Sequence, residues 1–242
     1  MYQGTYKIAD KIIEIESFYE DVQKLCLPHK YDGQPDMHIS MCEKDIACER
    51  QKGSEEENIN LFSDGYLETL AVYRKICDQM IEYDTILFHG SAISVDNEAY
   101  IFTATSGTGK STHTRLWREM LGERAVMVND DKPLIRISSD GVFVSGTPWD
   151  GKHHISSNIT VPLKAICILE RGSENVITEI SAKEALPMLL QQSYHPPKPE
   201  ARMRFLDLLE SLTAQLRFYR LQCNISQEAA ETAYEKLHGA DE

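Results

Sequence analysis

Hydrophobic and polar residues change their spacing several times along the first third of the chain. Alternation in KIADKIIEIES, residues 7–17, predicts a β-strand. The region from Pro28 to Asn60 is polar and irregular, and its acidic end, ERQKGSEEENIN, predicts a linker or an exposed loop. From Tyr66 to Tyr83 apolar residues recur at helical spacing, which predicts an amphipathic helix. The residues on its apolar stripe are Leu67, Leu70, Tyr73, Cys77, Met80 and Ile81.

The middle of the chain follows strand-like patterns, and the end follows helical ones. TILFHGSAISV and EAYIFTA predict two strands around a turn at Asp96-Asn97, and RAVMVNDD, PLIRIS, GVFVSG and LKAICILER predict further strands. Helical spacing recurs in Ala182–Gln192, Ala201–Arg217 and Gln227–Leu237. We therefore expect an α/β fold with a mixed sheet over residues 61–242, preceded by a small N-terminal segment, 1–60, that is partly strand.

One glycine-rich stretch carries specific chemical information. The sequence ATSGTGKS, residues 104–111, fits the phosphate-binding P-loop pattern, with Ala104 in the place of its first glycine. A predicted strand precedes it, and a helix from Lys110 to Leu121 is expected to follow and to end at Gly122. Glycines let backbone N–H groups approach phosphate oxygens, and the N-terminus of the helix adds positive potential. The alternative is a glycine-rich turn that binds no ligand.

In a nucleotide complex the residues of this loop have defined roles. Lys110 would contact the β- and γ-phosphates, and the Ser111 hydroxyl would coordinate Mg²⁺. The expected cofactors are therefore ATP and Mg²⁺, and ATP is favoured over GTP because the chain lacks the guanine-reading N-K-x-D motif. The candidate nucleotide-binding residues are Ala104, Ser106, Gly107, Thr108, Gly109, Lys110, Ser111 and Thr112.

Two adjacent carboxylates follow the apolar run AVMV. A phosphate-bound Mg²⁺ needs a second anchor, and an apolar strand that ends in aspartate is its usual source. One of Asp130 and Asp131 can hold the metal, and the other can accept a proton from an attacking hydroxyl. The alternative is a polar turn that closes a strand.

A second polar loop, TPWDGKHH, contains two further candidates. Lys152 could neutralise a transferring phosphate, and Asp150 could serve as a metal ligand. A capped turn with solvated charges explains the same residues equally well.

Charge and composition narrow the classes of function. The net charge is −13, which disfavours binding to nucleic acid and to anionic membranes. Residues 104–154 contain seven Lys/Arg and six Asp/Glu, so the region of the glycine-rich loop is the least acidic part of the chain. No membrane span or secretory signal is expected, and the six cysteines form no C-x-x-C pair, which is typical of a cytoplasmic protein with free thiols.

Taken together, HGSAI, SGTGKST and NDD resemble the catalytic domain of HPr kinase/phosphorylase, which is similar in fold to the P-loop domain of phosphoenolpyruvate carboxykinases. The resemblance is sharp from about Ile86 to Lys132 and weak towards the C-terminus. GTPWDGKHHISSN and VPLKAICILERGSEN look more like HPr kinase-related proteins of unassigned substrate. The N-terminal segment is not covered.

The resemblance implies a P-loop kinase fold of the HPr kinase C-terminal type and assigns roles to individual residues. Asp130 would be the proton acceptor, His89 an active-site histidine, Lys110 the loop lysine, and Asp131 a metal-side carboxylate together with Ser111. The Glu-x-Arg-Gly signature of HPr kinase/phosphorylase is missing, so HPr as substrate and a phosphorylase activity are poorly supported. The family also suggests a homo-oligomer.

Two functions follow from these observations. The first is a Mg²⁺-dependent kinase that transfers the γ-phosphate of ATP to a hydroxyl, with Asp130 as general base. Its acceptor, a serine of a protein or peptide or a small molecule, is not specified by the sequence. The second is a nucleotide-binding regulatory or sensor module without phosphoryl transfer, which the unmatched N-terminal segment suggests.

Overall fold

The computed structural model describes residues 1–52 and 62–239. Its N-terminal part contains a three-stranded sheet of β1 (Tyr2–Ile8), β2 (Lys11–Ser17) and β3 (Met37–Ser40). β1 and β2 are antiparallel, and β3 lies parallel to β2. The single strand predicted over residues 7–17 is wrong, because Ala9 and Asp10 have φ of 49° and 62° and form a hairpin turn inside the alternating run.

The region from Pro28 to Asn60 is more regular than its composition suggests. It contains β3 and α2 (Glu43–Lys52), and residues 53–60 lie outside the described residues. α1 (Asp21–Cys26) precedes it. The prediction of an irregular segment fails partly because Glu49 is a buried charge in α2. Its carboxylate accepts hydrogen bonds from Arg74 Nε at 2.6 Å and Nη2 at 2.9 Å, so a polar position faces the interior.

The long helix α3 (Asp64–Met80) lies between the small sheet and the large one. Ser63 caps its first turn by accepting a hydrogen bond from the Tyr66 amide at 3.1 Å. A short 3₁₀ turn, Ile81–Tyr83, follows, so the predicted helix is confirmed over most of its length. The predicted apolar stripe is buried except for Leu70, which is half-buried.

Within the described residues, nine strands form the large sheet. The strand order is β4-β8-β9-β10-β6-β5-β7, with β12 beside β10 and β11 beside β12. The pairs β6–β10 and β10–β12 are parallel and the other pairs antiparallel, which confirms a mixed sheet. The strands are β4 (Thr85–Leu87), β5 (Ser91–Val95), β6 (Glu98–Thr103), β7 (Ala125–Asn129), β8 (Leu134–Ser138), β9 (Gly141–Ser145), β10 (Thr160–Arg171), β11 (Val176–Ile180) and β12 (Arg217–Cys223).

The strand predicted over residues 85–95 is two strands in the structure. β4 pairs with β8 at one end of the sheet order, whereas β5 lies between β6 and β7. The chain crosses between them at Phe88-His89-Gly90. A Cβ at Gly90 would lie 2.6 Å from Ile101 Cγ2 and 3.2 Å from the Phe102 carbonyl oxygen, so this close crossing requires glycine.

The helix predicted after the glycine-rich loop is present as α4 (Lys110–Leu121), and the three predicted C-terminal helices are present as α5 (Ala182–Gln192), α6 (Pro199–Gln215) and α7 (Gln227–His238). The sequence patterns do not predict β11, which is exposed at the sheet edge, or β12, whose first residue, Arg217, lies in the predicted helix 201–217. None of the helices in the described ranges is long and apolar enough to span a membrane.

We expect Glu68→Gln to weaken the attachment of the N-terminal part to α3. The buried Glu68 carboxylate accepts hydrogen bonds from the backbone amides of Phe18 at 2.7 Å and Tyr19 at 2.9 Å. The glutamine amide offers one acceptor oxygen where the carboxylate offers two, so one of the two backbone amides loses its partner. The unfolding free energy should fall by roughly 1–3 kcal/mol in urea titrations.

Glu119→Gln is the matched control, since Glu119 is exposed and pairs with Arg115 along one helix. Its effect should stay within about 0.5 kcal/mol. Equal losses in the two variants would contradict the importance of the Glu68 hydrogen bonds.

Candidate active site

The glycine-rich loop lies between β6 and α4, where the sequence predicts it. Gly107 has φ of +76° and Gly109 has φ of +122°, backbone angles that favour glycine. A Cβ placed on either residue would have no heavy atom within 4 Å, so the space in front of the loop is open. This open space lies at the N-terminus of α4, whose positive potential suits an anion.

Three side chains fix the shape of this loop. Lys110 Nζ donates to the carbonyl oxygen of Ala104 at 3.0 Å, across the loop. The Thr108 hydroxyl donates to the carbonyl of Thr105 at 3.0 Å, and Arg171 Nη2 donates to the carbonyl of Gly107 at 2.6 Å. The sequence did not reveal Arg171, because it comes from the end of β10. The parallel pairing of β6 and β10 is what brings the ends of these strands together.

Asp130 lies against the first turns of α4. Its carboxylate accepts a hydrogen bond from Ser91 Oγ at 2.6 Å, and Ser91 Oγ lies 2.8 Å from the Thr114 hydroxyl. Since the carboxylate only accepts, Thr114 is the donor to Ser91. Burial raises the pKa of Asp130, and hydrogen bonds from Ser91 and Ser111 oppose that rise. Asp130 therefore lies near the Ser111 hydroxyl.

Asp131 belongs to a more exposed group of charges. Its carboxylate lies 3.3 Å from Lys132 Nζ. Burial lowers the pKa of His89, the charges of Lys132 and Lys110 lower it further, and Asp131 opposes them. Burial also lowers the pKa of Lys110, against the charges of Asp131 and Asp130. These mutual effects place His89, Lys110, Asp131 and Lys132 in one electrostatic environment.

His89 is held by its backbone at the crossing between β4 and β5. Its amide donates to the carbonyl of Gln192 at 2.7 Å, and its carbonyl accepts from the Thr103 hydroxyl at 2.9 Å. Thr103 is the last residue of β6, immediately before the glycine-rich loop. The predicted site residue His89 is therefore hydrogen-bonded directly to the strand that precedes the loop.

The side chain of Asn129 shapes the acidic turn, which we define as residues Asn129–Lys132. Its Oδ1 accepts from the backbone amides of Asp131 at 2.9 Å and Lys132 at 2.7 Å. Its Nδ2 donates to the carbonyl and the hydroxyl of Thr147, both at 3.0 Å. The Thr147 hydroxyl in turn donates to the carbonyl of Lys132 at 3.0 Å. These bonds order the backbone of both aspartates without occupying their carboxylates.

The loop with Asp150 and Lys152 borders the same turn. The buried Asp150 carboxylate accepts from Ser156 Oγ at 2.8 Å and lies 3.2 Å from His154 Nδ1, a self-contained arrangement. Lys152 is exposed. A Cβ at Gly151 would lie 2.9 Å from Asp131 Cβ, so this loop contacts the acidic turn closely.

A cleft of about 460 Å³ opens beside the glycine-rich loop. It lies at the carboxyl ends of β10 and β12, the position where open α/β sheets bind ligands. Its volume is in the range of small-molecule sites. The lining residues are Gly107, Thr108, Gly109, Thr112, His113, Leu116, Leu169, Glu170, Arg171, Gly172, Cys223, Asn224 and Ile225.

The donor set fits Mg²⁺ bound through phosphate. Among residues 1–52 and 62–239, no group of three or more His, Cys, Asp or Glu side chains could hold a metal ion by itself. Mg²⁺ usually takes one or two protein ligands and completes its shell with phosphate oxygens and water. The Ser111 hydroxyl and the Asp130 carboxylate provide such a pair.

Comparison with known proteins gives a distant structural similarity. No family model matches the chain, and no curated protein matches its sequence. Among solved structures, the Hpr(Ser) kinase/phosphatase from Coxiella burnetii is similar with a TM-score of 0.33 and 11% identity. The similarity covers 64% of this chain and 94% of that chain.

We expect Ser91→Ala to raise the pKa of Asp130 further, because it removes a hydrogen bond that favours the charged carboxylate. A raised pKa means that folding favours the protonated form, so stability falls as pH rises through it. The variant should therefore lose more stability at about pH 7 than at about pH 4. Urea titrations at both pH values, with NMR titration of the carboxyl carbon, measure the effect.

Ser94→Ala is the control, since Ser94 is a buried serine on the same strand. Its loss of stability should not depend on pH. A pH-independent loss in Ser91→Ala would show that Ser91 does not act on the charge of Asp130.

Proposed function

We propose that this protein is a Mg²⁺-dependent kinase that transfers the γ-phosphate of ATP to a hydroxyl group. The observation that supports this most is the position of Asp130, a buried carboxylate against the first turns of α4 and close enough to Ser111, just after the glycine-rich loop, for that hydroxyl to lower its pKa. A phosphate cradle and a carboxylate that meet through a hydroxyl are the parts that a nucleotide-bound Mg²⁺ requires.

We assign the two aspartates in the opposite way to the family resemblance. Asp130 is buried and lies beside Ser111, so it suits the metal side, where it can hold Mg²⁺ directly or through water. Asp131 is the more exposed carboxylate and borders the loop of Gly151, so an acceptor can approach it. Asp131 is therefore suited to act as the proton acceptor.

The positively charged side chains near the two aspartates are suited to contact the phosphate that is transferred. Lys110 extends over the loop and is balanced electrostatically by both aspartates. Lys132 and His89 lie on the Asp131 side. Because burial and the neighbouring lysines lower the pKa of His89, the ring is neutral near pH 7 and can hydrogen-bond without adding charge.

These groups account for the bonds and the proton of the proposed transfer. The acceptor oxygen forms a bond to the γ-phosphorus while the bond from that phosphorus to the β-bridging oxygen breaks and ADP leaves. The acceptor proton passes to the Asp131 carboxylate. Lys110 would stabilise the charge that develops on the phosphate oxygens, and a Mg²⁺ ion held by Asp130 and Ser111 would add positive charge there. The acceptor is a serine of a protein or peptide, or a small molecule.

The nucleoside has a place in the cleft beside the loop. Leu116 and Leu169 supply an apolar surface, and Ile225, 76% exposed, stands at its rim. A purine ring packed between such side chains would cover the exposed Ile225. Thr112, at the start of α4, also lines this cleft, so the loop residues and the nucleoside site are continuous.

Asp130→Asn and Asp131→Asn should fail in different ways. Both should lower phosphoryl transfer by at least about 100-fold while retaining nucleotide binding, since general-base catalysis contributes roughly 10²–10⁴-fold. Only Asp130→Asn should raise the Mg²⁺ or Mn²⁺ concentration needed for half-maximal rate. The assay mixes protein, Mg²⁺ and γ-labelled ATP with host-cell extract that has been split into protein and small-molecule fractions.

Asp140→Asn, in an exposed turn, is the control and should transfer label like the wild type. Full transfer by Asp131→Asn with an altered metal requirement would restore the assignment that the resemblance implies. Tight ATP binding with all label retained in ATP would instead support the nucleotide-binding regulatory module.

Ile225→Asp should distinguish binding of the nucleoside from binding of the phosphates. We expect it to weaken binding of MgATP about five- to tenfold, equivalent to roughly 1–1.4 kcal/mol, through lost apolar contact. Binding of inorganic tripolyphosphate, which has no nucleoside, should be unchanged in calorimetric titrations.

Leu206→Asp places the same charge on another exposed apolar position, in α6. This control should bind both ligands normally. Equal weakening of ATP and tripolyphosphate by Ile225→Asp would argue against a nucleoside in the cleft.

A further inference from the structure

One face of α3 holds both loops that flank Asp131. Trp149 Nε1 donates to the carbonyl of Thr69 at 2.9 Å, and the Tyr73 hydroxyl donates to the carbonyl of Lys132 at 2.6 Å. Thr69 and Tyr73 are one helical turn apart and so lie on the same face. The rings of Tyr73 and Trp149 stack with centroids 4.1 Å apart and an interplanar angle of 5°. The helix therefore sets the separation between the acidic turn and the loop of Asp150.

The bond from Tyr73 ends at the backbone of the acidic turn. The same Lys132 carbonyl accepts from the Thr147 hydroxyl at 3.0 Å, and the Lys132 amide donates to Asn129. Asn129 orders the turn from its first residue, and Tyr73 orders it from its last. Asp131 lies between these two anchors, and its carboxylate takes no part in them.

The hydroxyl of Tyr73 is not needed for packing. Its ring is buried, with 3% of its surface exposed, and a phenylalanine ring would make the same stack on Trp149. A buried hydroxyl costs free energy unless it is hydrogen-bonded. Burial raises the pKa of Tyr73 well above its usual range, so the phenol stays protonated and remains a donor.

The anchor connects the acidic turn to the N-terminal part of the chain. The carboxylate of Glu68 on α3 binds the backbone amides of Phe18 and Tyr19, and Arg74 of α3 pairs with Glu49 of α2. The packed core between α3 and the small sheet includes Ile13, Ile39 and Val72. The small sheet therefore packs against α3, the same helix that contacts the acidic turn.

We propose that Tyr73 is a positioning residue for phosphoryl transfer, holding Asp131 at its working distance from the acceptor through the carbonyl of Lys132. This inference rests on the proposed kinase function. It gives the N-terminal part of the chain a role in the reaction, because that part holds α3 in place. The effect should appear in the chemical step rather than in nucleotide binding, since Tyr73 contacts the acidic turn and not the glycine-rich loop.

Tyr73→Phe tests this, with a control that removes another tyrosine hydroxyl bonded to the same helix. We expect kcat for transfer to fall about tenfold, since displacing a reacting group by an ångström can cost up to about 100-fold, while KM for ATP stays within about twofold. The control, Tyr194→Phe, removes the hydroxyl that donates to Asp78 of α3 at 2.9 Å. It should lower stability to a similar extent and leave kcat unchanged.

Thr147→Val provides a second variant if Tyr73→Phe fails to fold. It removes the other donor to the Lys132 carbonyl without altering α3, and kcat should fall in the same direction. Unchanged kcat in a folded Tyr73→Phe protein, or a loss confined to KM, would overturn the inference while leaving the kinase proposal intact. Failure of the wild type to turn over MgATP with any acceptor would reject the kinase proposal, and the inference with it.

Discussion

The hydrogen bonds of one side chain, Asn129, determine the geometry on which the site depends. Its amide makes four bonds, two to the backbone of the acidic turn and two to Thr147, and it is fully buried. A buried amide with all these partners satisfied is rigid, and rotation of the side chain would leave several polar groups unpaired. The two aspartates therefore project from a backbone that does not need to reorganise before the phosphoryl transfer proposed above, which is the condition for effective electrostatic catalysis.

Charge is divided between two sides of this turn. On one side Asp130 is withdrawn from water among hydroxyl groups, and on the other Asp131 faces Lys132, Lys110 and His89. Neighbouring carboxylates in different surroundings can perform different tasks, because burial and hydrogen bonding alter each group separately. Both residues are aspartates, so their different surroundings come only from the different directions in which their side chains leave the end of the strand.

The sequence was sufficient for features that repeat over many residues or follow a local rule. The helices α3, α4 and α7, the turn at Asp96-Asn97 and the glycine-rich loop were all predicted, because spacing, capping and glycine conformation act locally. The hairpin at Ala9-Asp10 was missed because alternation continues through a two-residue turn. Ser91, Thr114, Asn129, Tyr73 and Arg171 could not be found, since their roles arise from contacts between distant segments and polar residues of these types are common everywhere.

The crossing at Phe88-His89-Gly90 has a consequence for the connectivity of the chain. It runs beside the acidic turn, with the Gly90 amide bonded to the carbonyl of Asp131 at 3.1 Å and the Phe88 amide to that of Pro133 at 3.2 Å. Both segments link strands that are far apart in the sheet order, so the site lies at a topological switch point. New chain termini placed in the hairpin between β8 and β9 would leave this pair of crossings intact. Termini placed within either crossing would release His89 or Asp131 from the strands that hold it, even if every strand of the sheet still formed.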